Sequence, residues 1–168
     1  MVAPADYVEL VRRRLVADGC AVTDERLGAD SVVIGYRAQF RALTRIHFFT
    51  VVTTMDQVVE GDLRSFVNNV VGLGLERKGR WLGVQTGIIV LPVLVTEAAD
   101  PAATALTQKA YRLKRSGFAV LTQPTIVDVK AGRVWTFRGT RVWGFVYNSL
   151  IKKKYEAYLP EPSAAAAD

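Results

Sequence analysis

Few residues in this chain of 168 have the types and spacing that catalysis requires. A Ser-His-Asp hydrolase needs an imidazole base, and His47 is the one histidine. It lies between Ile46 and Phe48, opposite in phase to both, which predicts a partly exposed sheet histidine. No serine sits in a G-x-S-x-G turn. Cys20, the one cysteine, follows Gly19 at a helix end and fits a small buried hydrophobe better than a nucleophile. One cysteine and one histidine exclude a disulfide framework, a thiolate zinc site and a His-pair metal motif. Phosphate loops are absent too. Gly72-Leu-Gly74 falls late in a helix, and Gly83-Val-Gln-Thr-Gly87 precedes a strand, which predicts a turn. No catalytic residue, cofactor or metal is expected.

Charge is the feature above background. The net charge is +6, and it is uneven. Residues 1–100 balance at −1, residues 101–155 at +10 with Asp128 as their only acid, and the end of the chain at −3. Arg133, Arg138, Arg141, Lys152, Lys153 and Lys154 are interleaved with Trp135, Phe137, Trp143 and Tyr147. Cations among aromatics grip phosphates and stack bases, so these six are the candidate anion or nucleic-acid contacts. The competing expectation is that the aromatics are core and the lysines a solvated face.

The elements that must hold these residues follow from periodicity. With 50% hydrophobic and 23% charged residues, the chain is globular. Residues 5–18 have helical spacing, and Gly19 ends them. Cys20 to Thr23 is a short strand. Residues 31–40 alternate, and 46–54 are β-branched and aromatic, so the two form a hairpin. Leu63, Phe66, Val67, Val70 and Leu73 mark a helix over 62–78. Residues 87–95 are apolar throughout, as in a central strand covered on both faces. Asp100-Pro101 starts a helix expected to reach Arg115. Residues 118–129 and 134–137 are strands, and a last helix spans 142–159. The order is α-(β)-β-β-α-β-α-β-β-α. It predicts an α+β domain over residues 1–159, with one mixed sheet of five or six strands flanked by helices. A parallel pair is expected between residues 87 and 129. Residues 160–168, rich in alanine and proline, are expected to be a disordered tail.

This order resembles the core of the restriction-endonuclease-like superfamily. Such enzymes carry an acid at the start of one strand and an E-x-K on the next, together holding magnesium. Asp30 is placed as the first acid. The following strands offer Arg37-Ala-Gln39 and Arg45-Ile-His47, so the metal site is missing. A non-cleaving, degenerate member is the form this resemblance allows.

A second resemblance covers most of the chain. Gly83-Val-Gln-Thr-Gly-Ile-Ile-Val-Leu-Pro-Val-Leu-Val95, with Arg77-Lys-Gly79 before it and Gly144-Phe-Val-Tyr147 after it, is similar to a group of small actinobacterial proteins of unknown function. The label levansucrase has been attached to that group. The residues do not support the label, because the chain is too short for five four-stranded blades and its acids form no glycosidase pair.

These readings converge on a non-catalytic, cytoplasmic binding or association domain. Its partner is a protein or a second copy. The alternative is weak, sequence-independent binding of nucleic acid or another polyanion through the basic C-terminal third. No apolar run reaches the roughly 20 residues of a membrane helix, so no membrane insertion is expected.

Overall fold

The first helix, α1 (Pro4–Ala17), shows how the local sequence sets the architecture. Pro4 opens it, and Tyr7, Val11 and Leu15 repeat every fourth residue on the face that is fully buried. Gly19 adopts φ +79°, which lets its N–H reach Val16 O and the Cys20 N–H reach Leu15 O. The chain leaves the helix there and enters the sheet. In this computed structural model, residues 2–41, 44–78, 86–109, 112–115, 118–140 and 145–165 are described.

Three strands form an antiparallel meander: β1 (Ala21–Leu27), β2 (Asp30–Arg41) and β3 (Thr44–Thr54). Helix α2 (Glu60–Lys78) then carries the chain to β4 (Thr86–Thr96), which lies parallel to β3 along its whole length. After α3 (Pro101–Thr107) come β5 (Arg112–Arg115), β6 (Phe118–Thr122), β7 (Thr125–Asp128) and β8 (Arg133–Thr136). A 3-10 turn (Phe145–Tyr147) leads into α4 (Asn148–Tyr158), and α5 (Pro162–Ala165) follows. All strands join one mixed sheet, ordered β1-β2-β3-β4-β6-β5, with β7 also beside β4 and β8 on β7. The α+β class, the mixed sheet and the element order agree with the sequence analysis.

The strand β4 is the centre. Ile88 to Thr96 are all buried, because helices cover both faces. Ile89, Leu91 and Val93 pack with α1 and α4, whereas Ile88, Val90 and Leu94 pack with α2. Pro92 has no N–H to give its neighbours. Opposite it the partner strand is interrupted at Gln123-Pro124, so the expected strand 118–129 is two segments, β6 and β7. Both keep one register against β4, with Ile88 opposite Val120 and Val93 opposite Thr125. The Gln123 side chain fills the break by donating to Thr136 Oγ1 at 3.0 Å and Phe137 O at 3.2 Å.

Several boundaries differ from expectation. The first strand runs on to Leu27, where it pairs with Asp30. The helix from Asp100 stops at Thr107, and residues 112–115 form an edge strand on β6 instead, with Arg112 opposite Leu121. Pairing nine residues ahead wins there over helical spacing. The last helix starts at Asn148, and Val142 and Trp143 lie outside the described residues. The expected turn at Gly83 likewise begins outside them. The chain after Leu159 is packed as far as Ala165: Tyr7 donates its hydroxyl to Pro160 O at 2.6 Å, and Pro162 is buried. Among the described residues no helix is long and apolar enough to cross a membrane.

Candidate functional site

The strand β8 brings two of the six candidate cations to one place. Alternation along the strand buries Val134 and Thr136 on one side and puts Arg133 and Trp135 on the other. The Arg133 guanidinium lies 5.7 Å from the Trp135 ring centre, a cation–π contact on an exposed strand. The turn into β8 is fixed by Asp128, whose carboxylate accepts the Ala131 N–H at 2.8 Å, and by Gly132 at φ +67°. A Cβ on Gly132 would also meet Ser163 Cβ at 3.3 Å.

Beside this strand runs an open groove of about 640 Å³. Arg133, Trp135 and Thr136 line it from β8, Gln108 from the end of α3, and Arg138 and Glu161 from the far side. Arg138 is held to Glu161 at 2.7 Å. Arg133 has no carboxylate partner among the described residues. The Trp135 indole N–H is buried and also has none. The groove therefore offers, among the described residues, one cation without a carboxylate partner beside an aromatic ring.

The other candidates go elsewhere. Lys152 and Lys153 are exposed on α4, and the Lys152 ammonium is 3.9 Å from Glu156. Lys154 is buried and paired with Asp18 at the end of α1. Arg141 lies outside the described residues. Successive helical positions differ by about 100°, so the three lysines diverge. The solvated face expected of the lysine run holds for two of them and fails for Lys154.

Two constellations escaped the sequence analysis. In the first, Asp18 accepts bonds from Lys154, from Tyr158 Oη at 2.5 Å and from Arg37 at 2.9 Å. Burial pushes the Asp18 carboxyl up, but these three donors outweigh it and hold it at about 2. Burial raises both the Tyr158 hydroxyl and the Cys20 thiol, which sit 3.5 Å apart. A neutral thiol is a poor nucleophile, and the bonds of the cluster tie α4 to α1. No local signal reveals it, since Asp18 and Lys154 are 136 residues apart.

The second is Tyr36 with His47. His47 is 1% exposed, in contrast to the half-open position its sequence neighbours predict. The reason is that α2 and Tyr36 cover the face of β3 that Ile46 and Phe48 leave. The Tyr36 hydroxyl lies 2.8 Å from His47 Nδ1, and the two rings are nearly parallel. Among the described residues no three His, Cys, Asp or Glu side chains gather as a metal site. No family model, curated protein or solved structure matches the chain.

Proposed function

We propose that this chain is a non-catalytic, cytosolic association domain whose partner docks in the groove along β8. One observation carries the reading: Arg133, without a carboxylate partner among the described residues, lies over Trp135 on the wall of that groove. A flat anionic group fits such a wall. A guanidinium offers paired donors to a carboxylate or phosphate, and the Trp135 ring beneath it holds it in place. The anion belongs to a partner protein or to a second copy of the chain. The suggested kinship with small actinobacterial proteins rests on the Gly83–Val95 run and its flanks.

Calorimetric titration of the protein with pyrophosphate as a minimal anion tests this. Binding is expected at low salt and is lost in Arg133→Ala. Lys153→Ala, on the exposed face of α4, leaves it unchanged. Heat changes that are absent, or equal in the parent and Arg133→Ala, overturn the reading.

A further inference from the structure

Helix α2 sits on β4 and stands back from the edge strand β1. A Cβ on Gly74 would lie 3.1 Å from Val90 and 3.3 Å from Ile88, so the helix packs closely there. The β1–β2 hairpin meets α2 at one point, where a Cβ on Gly28 would approach Asn69 Nδ2 to 3.7 Å. From that point towards Ala21 the strand and the helix part, and a groove of about 570 Å³ lies between them. Small-molecule sites span about 300–1,000 Å³.

Alternation decides what faces this groove. On β1, Val22 packs with the α1 cluster and Asp24 pairs with Arg12 of α1, so Thr23 and Glu25 point towards α2. The floor is aromatic. Tyr36 and Phe49 are opposite each other on β2 and β3, with ring centres 5.0 Å apart, and Leu73 of α2 adds an apolar wall. Arg77 reaches across from α2. Its Nη2 donates to Glu25 Oε2 at 2.5 Å, and its guanidinium lies 6.0 Å from the Phe49 ring centre. Thr23 Oγ1 donates to the other Glu25 oxygen at 2.9 Å. Arg77 is thus held in place, while its Nε and Nη1 meet no acceptor among the described residues. Glu76 precedes it on the helix and lines the same groove, exposed and paired with no cation among the described residues. Arg26 stands at the hairpin end, where it donates to Ala29 O at 3.3 Å.

We propose that this groove binds a free aromatic amino acid, its ring against Tyr36 and Phe49, its carboxylate on the open N–H groups of Arg77 and its ammonium on Glu76. Aromatic rings pack on each other in offset or tilted pairs, and a guanidinium offers a carboxylate paired donors. An α-amino acid carries both charges on one carbon. Glu76 and Arg77 are consecutive, so an acid and a base stand together at the mouth of the groove. A carboxylate without an ammonium meets the bare charge of Glu76, and an amine without a carboxylate leaves Arg77 unused. This site is independent of the β8 groove, which lies at the opposite edge of the sheet.

Nitrogen-15 chemical-shift titrations of the full chain with L-phenylalanine, 3-phenylpropionate, phenethylamine and L-leucine decide the matter. L-phenylalanine gives saturable shifts at the Thr23, Glu25, Glu76 and Arg77 amides. Its two single-charge analogues bind about tenfold more weakly or worse, and L-leucine about threefold more weakly. Glu76→Gln weakens L-phenylalanine about tenfold and does not weaken 3-phenylpropionate. Arg77→Gln weakens both of these about tenfold and does not weaken phenethylamine. Where Arg77→Gln melts early, Glu25→Gln with Arg77→Gln removes both members of the ion pair and is read in the same way. Arg133→Ala binds L-phenylalanine like the parent, so failure of the β8 reading and failure of this one are separable. No saturable shift at these amides with millimolar ligand, equal binding of L-phenylalanine and either analogue, leucine bound as tightly, or indifference to the Glu76 and Arg77 changes overturns the proposal.

Discussion

Arg138 and Glu161 close on the same residue from the open edge of β8. The Glu161 carboxylate accepts the Val134 N–H at 2.7 Å, and the Arg138 guanidinium donates to the Val134 carbonyl at 3.3 Å. The two side chains are joined to each other at 2.7 Å. Together they supply Val134 with the donor and acceptor that a neighbouring strand would have supplied.

Removing Glu161 therefore bares a backbone donor as well as breaking an ion pair. Glu161→Ala is expected to lower stability by about 1 kcal/mol in urea unfolding. Arg138→Ala should cost less, because an exposed ion pair contributes little on its own. Equal losses in the two variants would mean that the edge is not what the pair protects.

The Asp18 cluster makes stability depend on acid. Its carboxyl titrates at about 2 in the folded chain, against an ordinary value of 3.8. A lowered pKa stabilises above the unfolded value and loses that contribution as pH falls from about 4 to about 2. Asp18→Asn should cost about 2 kcal/mol at pH 7, since it leaves Lys154 buried without its counter-charge. The gap to the parent should close near pH 2. A gap independent of pH would assign the loss to packing.

The centre of the sheet is Leu91, 1% exposed and packed on the α1 and α4 side. Leu91→Ala is expected to cost about 2–5 kcal/mol in chemical denaturation. Parent-like melting would remove β4 from the core.

The approach of α1 to β2 depends on Gly35. A Cβ there would stand 2.7 Å from a Leu15 methyl carbon. Gly35→Ala should cost about 1–3 kcal/mol through overpacking. Adding Leu15→Val should cost less than the two single losses combined. Strict additivity would show that Leu15 is not what the new methyl meets.

Much of this fold is legible along the chain, and the exceptions share a cause. The meander, α2 and β4 are written in local periodicity, and Asp100-Pro101 marks its helix through the Ala102 N–H that Asp100 accepts at 2.8 Å. What escaped depends on distant partners. Leu106, Ala110 and Leu113 have helical spacing, yet residues 112–115 pair with β6. Lys154 looks like part of a solvated run until Asp18 arrives from the other end of the chain. His47 looks half-open because nothing beside it in sequence announces Tyr36 and α2 above it. The candidate site was legible in part: Arg133 and Arg138 share the β8 groove, while Glu161, which balances Arg138, lay in the segment expected to be a tail.

The account rests on the β8 groove as the docking site, and nitrogen-15 spectra during a pyrophosphate titration test it most directly. The three tryptophan indoles give separate signals, and Trp135→Phe identifies one of them. The expected result is a saturable shift of the Trp135 indole and the Arg133 and Thr136 amides, abolished by Arg133→Ala. A titration that moves other signals and leaves Trp135 in place would contradict it.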